Sequence, residues 1–388
     1  MKHSFLNSLN LNRVGLLEIL FALTPMLSAY CIMNKPLSVL MWIILIVIVC
    51  IKYKRLPLKN YKPLTIFVIY WSLHTLVLLI ITELNINAVI TQIIYFLAIY
   101  SLYPVLDINK LEGSLNWIAI ISIGGLLYQL GVLLTGGYIH PIEIPGLTMD
   151  ENRLNTLSLR PSSFYMEPAS YVAYMIVPLA ISLIRQNVPW TIILILSIFL
   201  TTSTTGILIS FIMIVVYALT QHISKKSFAV ILLVGFSLCF ALNRFDVFSV
   251  GVEKIEDTDI ETNIRLSQGP YILSTMQGAE YIFGCGSANS YDYCITRHRA
   301  PHVILYGESV FVSSFWLMIL LYGIVGLSLY LNIYFRLYKK SKLTLPLITC
   351  LMAVLFSSGY GIGGTFAFHL VSLLSIADNQ NKINTVKQ

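Results

Sequence analysis

Two charged side chains, Arg160 and Glu167, share the short stretch Arg160-Pro161-Ser162-Ser163-Phe164-Tyr165-Met166-Glu167-Pro168. An arginine grips a phosphate or pyrophosphate with two parallel N–H bonds. A carboxylate nearby can accept the proton of a hydroxyl group. Proline is favoured at the first helical position, where its missing N–H would have been unpaired anyway. Glu167-Pro168 therefore marks a helix start, and a carboxylate there is favoured by the free amides and the helix dipole. The plain alternative is that Glu167 is a helix cap and nothing more. Immediately behind it, residues 171–184 are apolar enough to enter a bilayer. The charged pair is thus expected at a membrane surface.

The elements that must hold this edge follow from composition. The chain of 388 residues is 57% hydrophobic and only 11% charged, against about 25% charged in a soluble domain. A bilayer core takes roughly 20 apolar residues per helix, and such runs recur along nearly the whole chain. The expectation is an all-α, polytopic integral membrane protein with about 12 transmembrane helices, one membrane domain over 1–388. The runs are 14–33, 37–51, 64–82, 88–106, 115–135, 168–184, 189–200, 206–220, 228–242, 309–331, 345–358 and 365–376. Merging the two short runs 189–200 and 206–220 would invert everything after them.

The net charge of +7 does not point to nucleic acid, because Lys and Arg cluster in short linkers between apolar runs. Such linkers stay cytoplasmic. Lys52, Lys54, Arg55, Lys59 and Lys62 mark one, Lys225 and Lys226 another, and Arg336, Lys339, Lys340 and Lys342 a third. Both termini are then cytoplasmic, no cleavable signal pattern follows the basic N-terminus, and two polar loops, about 136–167 and 243–308, lie outside. Few ionisable residues fall within the runs, chiefly Glu18, His74 and His369. A transporter usually carries its site at the midplane, so this distribution favours a site at the outer face. Of six cysteines, Cys285 and Cys294 share the larger loop and are disulfide candidates if that loop is extracytoplasmic.

At these residues the chain resembles a family. Arg160, Phe164, Glu167, Pro168 and Ser170 look like the Arg…Phe-x-Glu-Pro-Ser signature of the bacterial O-antigen polymerases, which group with the O-antigen ligases. Thr201-Thr202-Ser203-Thr204-Thr205-Gly206 is similar to the family's Ser/Thr-rich turn, without the Arg often found there. Tyr322-Gly323-Ile324-Val325-Gly326 resembles its Tyr-Gly-x-x-Gly, and Arg265, followed by Gly269, resembles a second-loop Arg. The ligase histidine is absent at its usual spacing before Gly323, where Val312 and Ser313 stand.

The resemblance implies a GT-C-like helical arrangement in the bacterial inner membrane and a glycosyltransferase reaction. Oligosaccharide repeat units on undecaprenyl pyrophosphate are joined at the periplasmic face, and undecaprenyl pyrophosphate is released. No cofactor or metal is implied; partners are the lipid-linked oligosaccharide, membrane lipid and a chain-length regulator protein. Cations must meet the charge on the leaving pyrophosphate, and Arg153, Arg160 and Arg265 are the candidates. For the base, Glu167, His302 and Glu308 compete, each with a plain loop or interfacial role as its alternative. Arg297 and Arg299 are expected to be solvated or to face lipid headgroups. The rival functions are an O-antigen ligase and a lipid-linked oligosaccharide flippase or transporter.

Overall fold

The computed structural model describes residues 9–32, 35–81, 85–140, 142–149, 160–221, 229, 233, 264–286, 290–297, 312–357 and 362–379. Among them are fourteen α-helices. In chain order they are α1 (Leu16–Leu23), α2 (Leu37–Tyr53), α3 (Lys62–Ile81), α4 (Ile86–Leu102), α5 (Ile108–Leu134), α6 (Pro168–Arg185), α7 (Val188–Leu200), α8 (Thr204–Gln221), α9 (Ile264–Thr275), α10 (Ala279–Phe283), α11 (Ser290–Thr296), α12 (Ser314–Lys340), α13 (Leu345–Ser357) and α14 (Gly364–Asp378).

Four of these, α3, α5, α6 and α12, are long and apolar enough to cross a membrane by length and composition. Several shorter apolar helices join them. Side-chain placement points the same way. On α2, Leu37, Met41, Trp42, Leu45 and Val49 are buried, while Leu40, Ile43, Val47 and Ile51 face outward. On α3, Leu64, Phe67 and Trp71 are buried and Ile66, Ile69, Leu73 and Ile80 are exposed. Helices that are apolar on both faces suit a bilayer and not water.

The helices run up and down between two ends. One end is basic: Lys52, Lys59, Lys110, Arg185 and Lys340 lie in the terminal turns of their helices or in a linker there. Asp378, at the end of α14, bonds to both Lys59 and Lys340. The opposite end carries Arg160, Glu167 and the polar loops, and we call it the loop end. A buried ion pair ties the basic end together. Arg185 Nη2 lies 2.9 Å from Glu112 Oε2, and Arg185 also donates to Asn109 Oδ1 at 2.8 Å.

One expectation changes, one holds, and one helix carries a break. The run 14–33 is not one helix. α1 has eight residues, roughly 12 Å of rise, against a bilayer core of about 30 Å. Thr24 and Pro25 end it, since proline lacks the N–H and restricts the residue before it. A 3-10 turn, Met26–Ala29, and a short strand β1, Tyr30–Ile32, complete the passage. Leu9 accepts from Asn116 near the basic end, whereas Tyr30 pairs with Met149 of β3 (Thr148–Met149), beyond the far end of α5. β2, Lys35–Pro36, pairs on the other edge of β1. The segment therefore runs the length of the bundle in pieces, with Thr24, Met26, Ala29, Tyr30 and Cys31 of its irregular part buried in protein, where membrane depth tolerates such backbone.

Next, runs 189–200 and 206–220 are separate helices, α7 and α8, joined by the turn at Thr201–Ser203, and so are not merged. Last, α12 is not a straight rod. Gly323 has φ 64 and ψ −173, which divides it into a short half before and a long half after. The expected ninth run, 228–242, lies outside the described residues.

Candidate functional site

The loop from Arg160 to Glu167 is held by the helix before it. Gln129, in the last turns of α5, accepts from the backbone N–H of Ser162 at 3.0 Å and of Ser163 at 2.7 Å. Its own amide donates to the carbonyl of His140 at 3.0 Å. One buried side chain thus fixes both polar segments at the loop end. Ser163 sits at φ 56, a left-handed conformation unusual for a non-glycine residue. The helix must come very close here: a Cβ on Gly125 would stand 2.5 Å from Ser163 Oγ.

Tyr165 is the anchor. It is fully buried, its hydroxyl 3.1 Å from Ser122 Oγ on α5. Burial pushes its phenol well above the usual range, opposed in part by Ser122, so it stays protonated. Its ring meets Tyr171 and Tyr174 of α6 at 5.4 and 5.7 Å. Tyr174 stacks on Phe368 of α14, and Phe368 on Phe21 of α1. This aromatic column fastens the loop to three helices.

Between those fixed points, Arg160 and Glu167 are half-buried. Glu167 is the N-cap residue of α6 with φ −152 and ψ 164, and Pro168 follows at the first position. Its carbonyl accepts from Ser170 and Tyr171, but its carboxylate makes no cap hydrogen bond. Glu167 is thus the helix cap by position, as the plain reading has it, without a side-chain capping bond. No salt bridge among the described residues joins Arg160 to Glu167.

The Ser/Thr-rich turn does a structural job. Thr201, Thr202 and Ser203 are buried. Thr201 donates to the Ile198 carbonyl at 2.6 Å, and Ser203 Oγ accepts from the Gly206 amide at 3.3 Å, opening α8. Gly206 packs on Val172 of α6.

From the second loop, α9 carries Arg265 near its start, and Gly269 lies against Trp316 of α12. One turn beyond Arg265, Gln268 is buried with neither amide atom bonded. The side chain of Arg265 lies outside the described residues, as do Arg153, His302, Glu308 and Arg299. Arg297 is exposed, as expected, and there it pairs with Glu280 and lies over the Tyr293 ring. No disulfide joins Cys285 and Cys294, which are buried in one cluster with Ile272, Met276, Tyr293, Val312 and Leu320. Among the described residues no group of three His, Cys, Asp or Glu is arranged to hold a metal ion.

The elbow at Gly323 is where this second loop docks. A Cβ on Gly323 would stand 2.0 Å from the Ile282 carbonyl oxygen, and one on Gly284 2.4 Å from the Leu321 carbonyl carbon. Cys285 and Gly286 donate to the carbonyls of Leu320 and Leu321, each at 2.8 Å, and Tyr70 donates to that of Tyr322 at 2.6 Å. Backbone groups freed by the break are thus paired again, as buried polar groups must be. The Tyr-Gly pattern signals a special backbone position; its partner at Gly284 carries no comparable signal. Gln129 was missed by sequence reasoning because a single polar residue within an apolar run has no local mark.

No protein-family model, curated protein or solved structure matches this chain, so its activity has to be argued from its own residues.

Proposed function

We propose that the chain is an O-antigen polymerase of the bacterial inner membrane, with the basic end cytoplasmic and the loop end periplasmic. The observation that carries this reading is the Arg160–Glu167 loop. A cation and a carboxylate stand half-buried on a rigid support, and the carboxylate is not consumed in capping. Charge of both kinds at a bundle end, beside apolar outer surfaces, suits a substrate that is part lipid and part sugar phosphate. The excess of Lys and Arg at the opposite end supports the orientation.

In this reading Arg160 meets the pyrophosphate of the donor lipid, aided by the positive N-terminus of α6. Arg265 and Arg153 are proposed to share that charge. Glu167 accepts the proton of the acceptor hydroxyl, with His302 and Glu308 as the competing bases. The acceptor oxygen bonds to the anomeric carbon, the bond from that carbon to the phosphate oxygen breaks, and undecaprenyl pyrophosphate leaves with the electron pair. Stabilising charge on the leaving group is the term that fixed cations supply.

Deleting the gene and resolving the host lipopolysaccharide on a gel tests this. The expected outcome is a ladder reduced to core plus a single repeat unit, not restored by Arg160→Ala or Glu167→Ala. Loss of every repeat unit would favour a ligase or flippase, and an unchanged ladder in a host with no second polymerase would overturn the glycan reading.

A further inference from the structure

A small cavity of about 30 Å³ lies among α12, α13 and α14, lined in part by the apolar Leu351, Val354, Leu355 and Phe366 and elsewhere by Ser314, Tyr330, Tyr334, Thr365 and His369. Its mouth is at the loop end, because Ser314 opens α12 and Thr365 is the second residue of α14. Ser314 and Tyr330 are sixteen residues apart, roughly 24 Å along an unbroken helix. They line the same small cavity because α12 breaks at Gly323. Broken helices at membrane depth are tolerated where they are buried in protein or line a water-filled space, and an ionisable residue inside a bundle marks a functional site by default.

The hydrogen-bonding sense of the lining can be worked out. His369 Nε2 lies 2.6 Å from the carbonyl oxygen of Ala173 on α6. A carbonyl only accepts, so Nε2 carries the proton, and in the neutral ring Nδ1 is left with its lone pair. The Tyr334 hydroxyl donates to that of Tyr330 at 2.9 Å. The Tyr330 proton is then directed to a further acceptor. The lining so far named offers a donor at Tyr330, an acceptor at His369 Nδ1 and two adaptable hydroxyls at Ser314 and Thr365. It has no carboxylate and no cation, so an ion would sit there without a counter-charge.

We propose that this cavity is a water-binding site, holding about two water molecules, that links His369 to the loop end. A donor, an acceptor and two hydroxyls satisfy the two to four partners a buried water needs. A lipid chain would offer no hydrogen bond to His369 Nδ1 or to the Tyr330 proton. The water joins Tyr330, Nδ1 of His369 and the hydroxyls at the mouth into one hydrogen-bonded path. Its inner end rests on Ala173, six residues and roughly 9 Å along α6 from Glu167. The water therefore reaches Nδ1 from the loop-end side of the cavity, while Nε2–H stays on Ala173.

Radiolytic hydroxyl-radical labelling of the full chain in detergent tests this, since bound water gives rise to radicals beside it. Tyr330 and His369 are expected to be labelled several-fold faster than Tyr174 and Phe368, which are fully buried and do not line the cavity. Thr365→Val keeps the shape and removes a hydroxyl; His369→Phe removes the acceptor. Each is expected to slow labelling at Tyr330 toward the rate of Tyr174. Equal rates at Tyr330 and Tyr174 in the wild-type protein would show a dry cavity and overturn the proposal. Unchanged labelling in both variants would overturn the assignment of these residues as the water's partners. The readout is independent of glycan synthesis, so it stands or falls apart from the polymerase reading.

Discussion

Replacing Gly323 by alanine probes the junction on which the loop end depends. The residue has φ 64 and ψ −173, a region used almost solely by glycine. The added Cβ would meet the Ile282 carbonyl oxygen at 2.0 Å, its carbon at 2.2 Å and the Phe283 nitrogen at 2.5 Å. All three are backbone atoms, so no side chain can swing aside. If the loop stays docked, the backbone strain alone costs about 1–3 kcal/mol, and the clash adds to it. If residues 282–286 move off, the two hydrogen bonds from Cys285 and Gly286 are lost, at about 0.5–1.5 kcal/mol each, together with burial of Cys285 against Leu320. Either route therefore costs at least about 1 kcal/mol, which lowers the docked-to-undocked ratio roughly fivefold or more. Hydrogen exchange and limited proteolysis of residues 264–297 in detergent measure this directly. Gly124→Ala is the control, since a Cβ there meets nothing within 4 Å and a mid-helix alanine is favoured over glycine by about 1 kcal/mol. Protection of 264–297 in Gly323→Ala equal to that in Gly124→Ala would refute the docking argument.

Two further perturbations test the frame. Gln129→Leu removes the acceptor of two buried amides, those of Ser162 and Ser163, at about 1–3 kcal/mol each; thermal unfolding should shift down, and Gln129→Glu, which keeps the acceptor oxygens, should recover part of the loss. Glu112→Ala leaves Arg185 buried without its partner, at about 3–5 kcal/mol, whereas Glu112→Leu with Arg185→Leu should cost less than the sum of the single changes. Strict additivity in a double-mutant cycle would show that the pair does not interact.

Much of this architecture is legible in the sequence, because hydropathy is a local property. The runs at 37–51, 64–82, 168–184, 189–200 and 365–376 emerge as α2, α3, α6, α7 and α14 within a few residues. Pro168 marks the start of α6, since a residue without an N–H fits only where that N–H would be unpaired. The clustering of Lys and Arg in short linkers separates one end of the bundle from the other. Arg160 and Glu167 are visible as charges at the edge of an apolar run.

What the chain could not disclose locally is decided by contacts between distant residues. Nothing in the run 14–33 shows that α1 stops at Leu23 and that Tyr30 joins a strand 119 residues further on. The elbow of α12 exists because residues 282–286 supply hydrogen-bond donors to the carbonyls that the break exposes. His369 acquires a defined tautomer only when Ala173, 196 residues away, comes within 2.6 Å. Gln129 becomes the clamp of the Arg160–Glu167 loop for the same reason. Apolarity selects which segments leave water, but in an apolar solvent it does not distinguish one greasy face from another. The pairing of a few polar groups, each costly to leave unsatisfied there, decides how those segments meet.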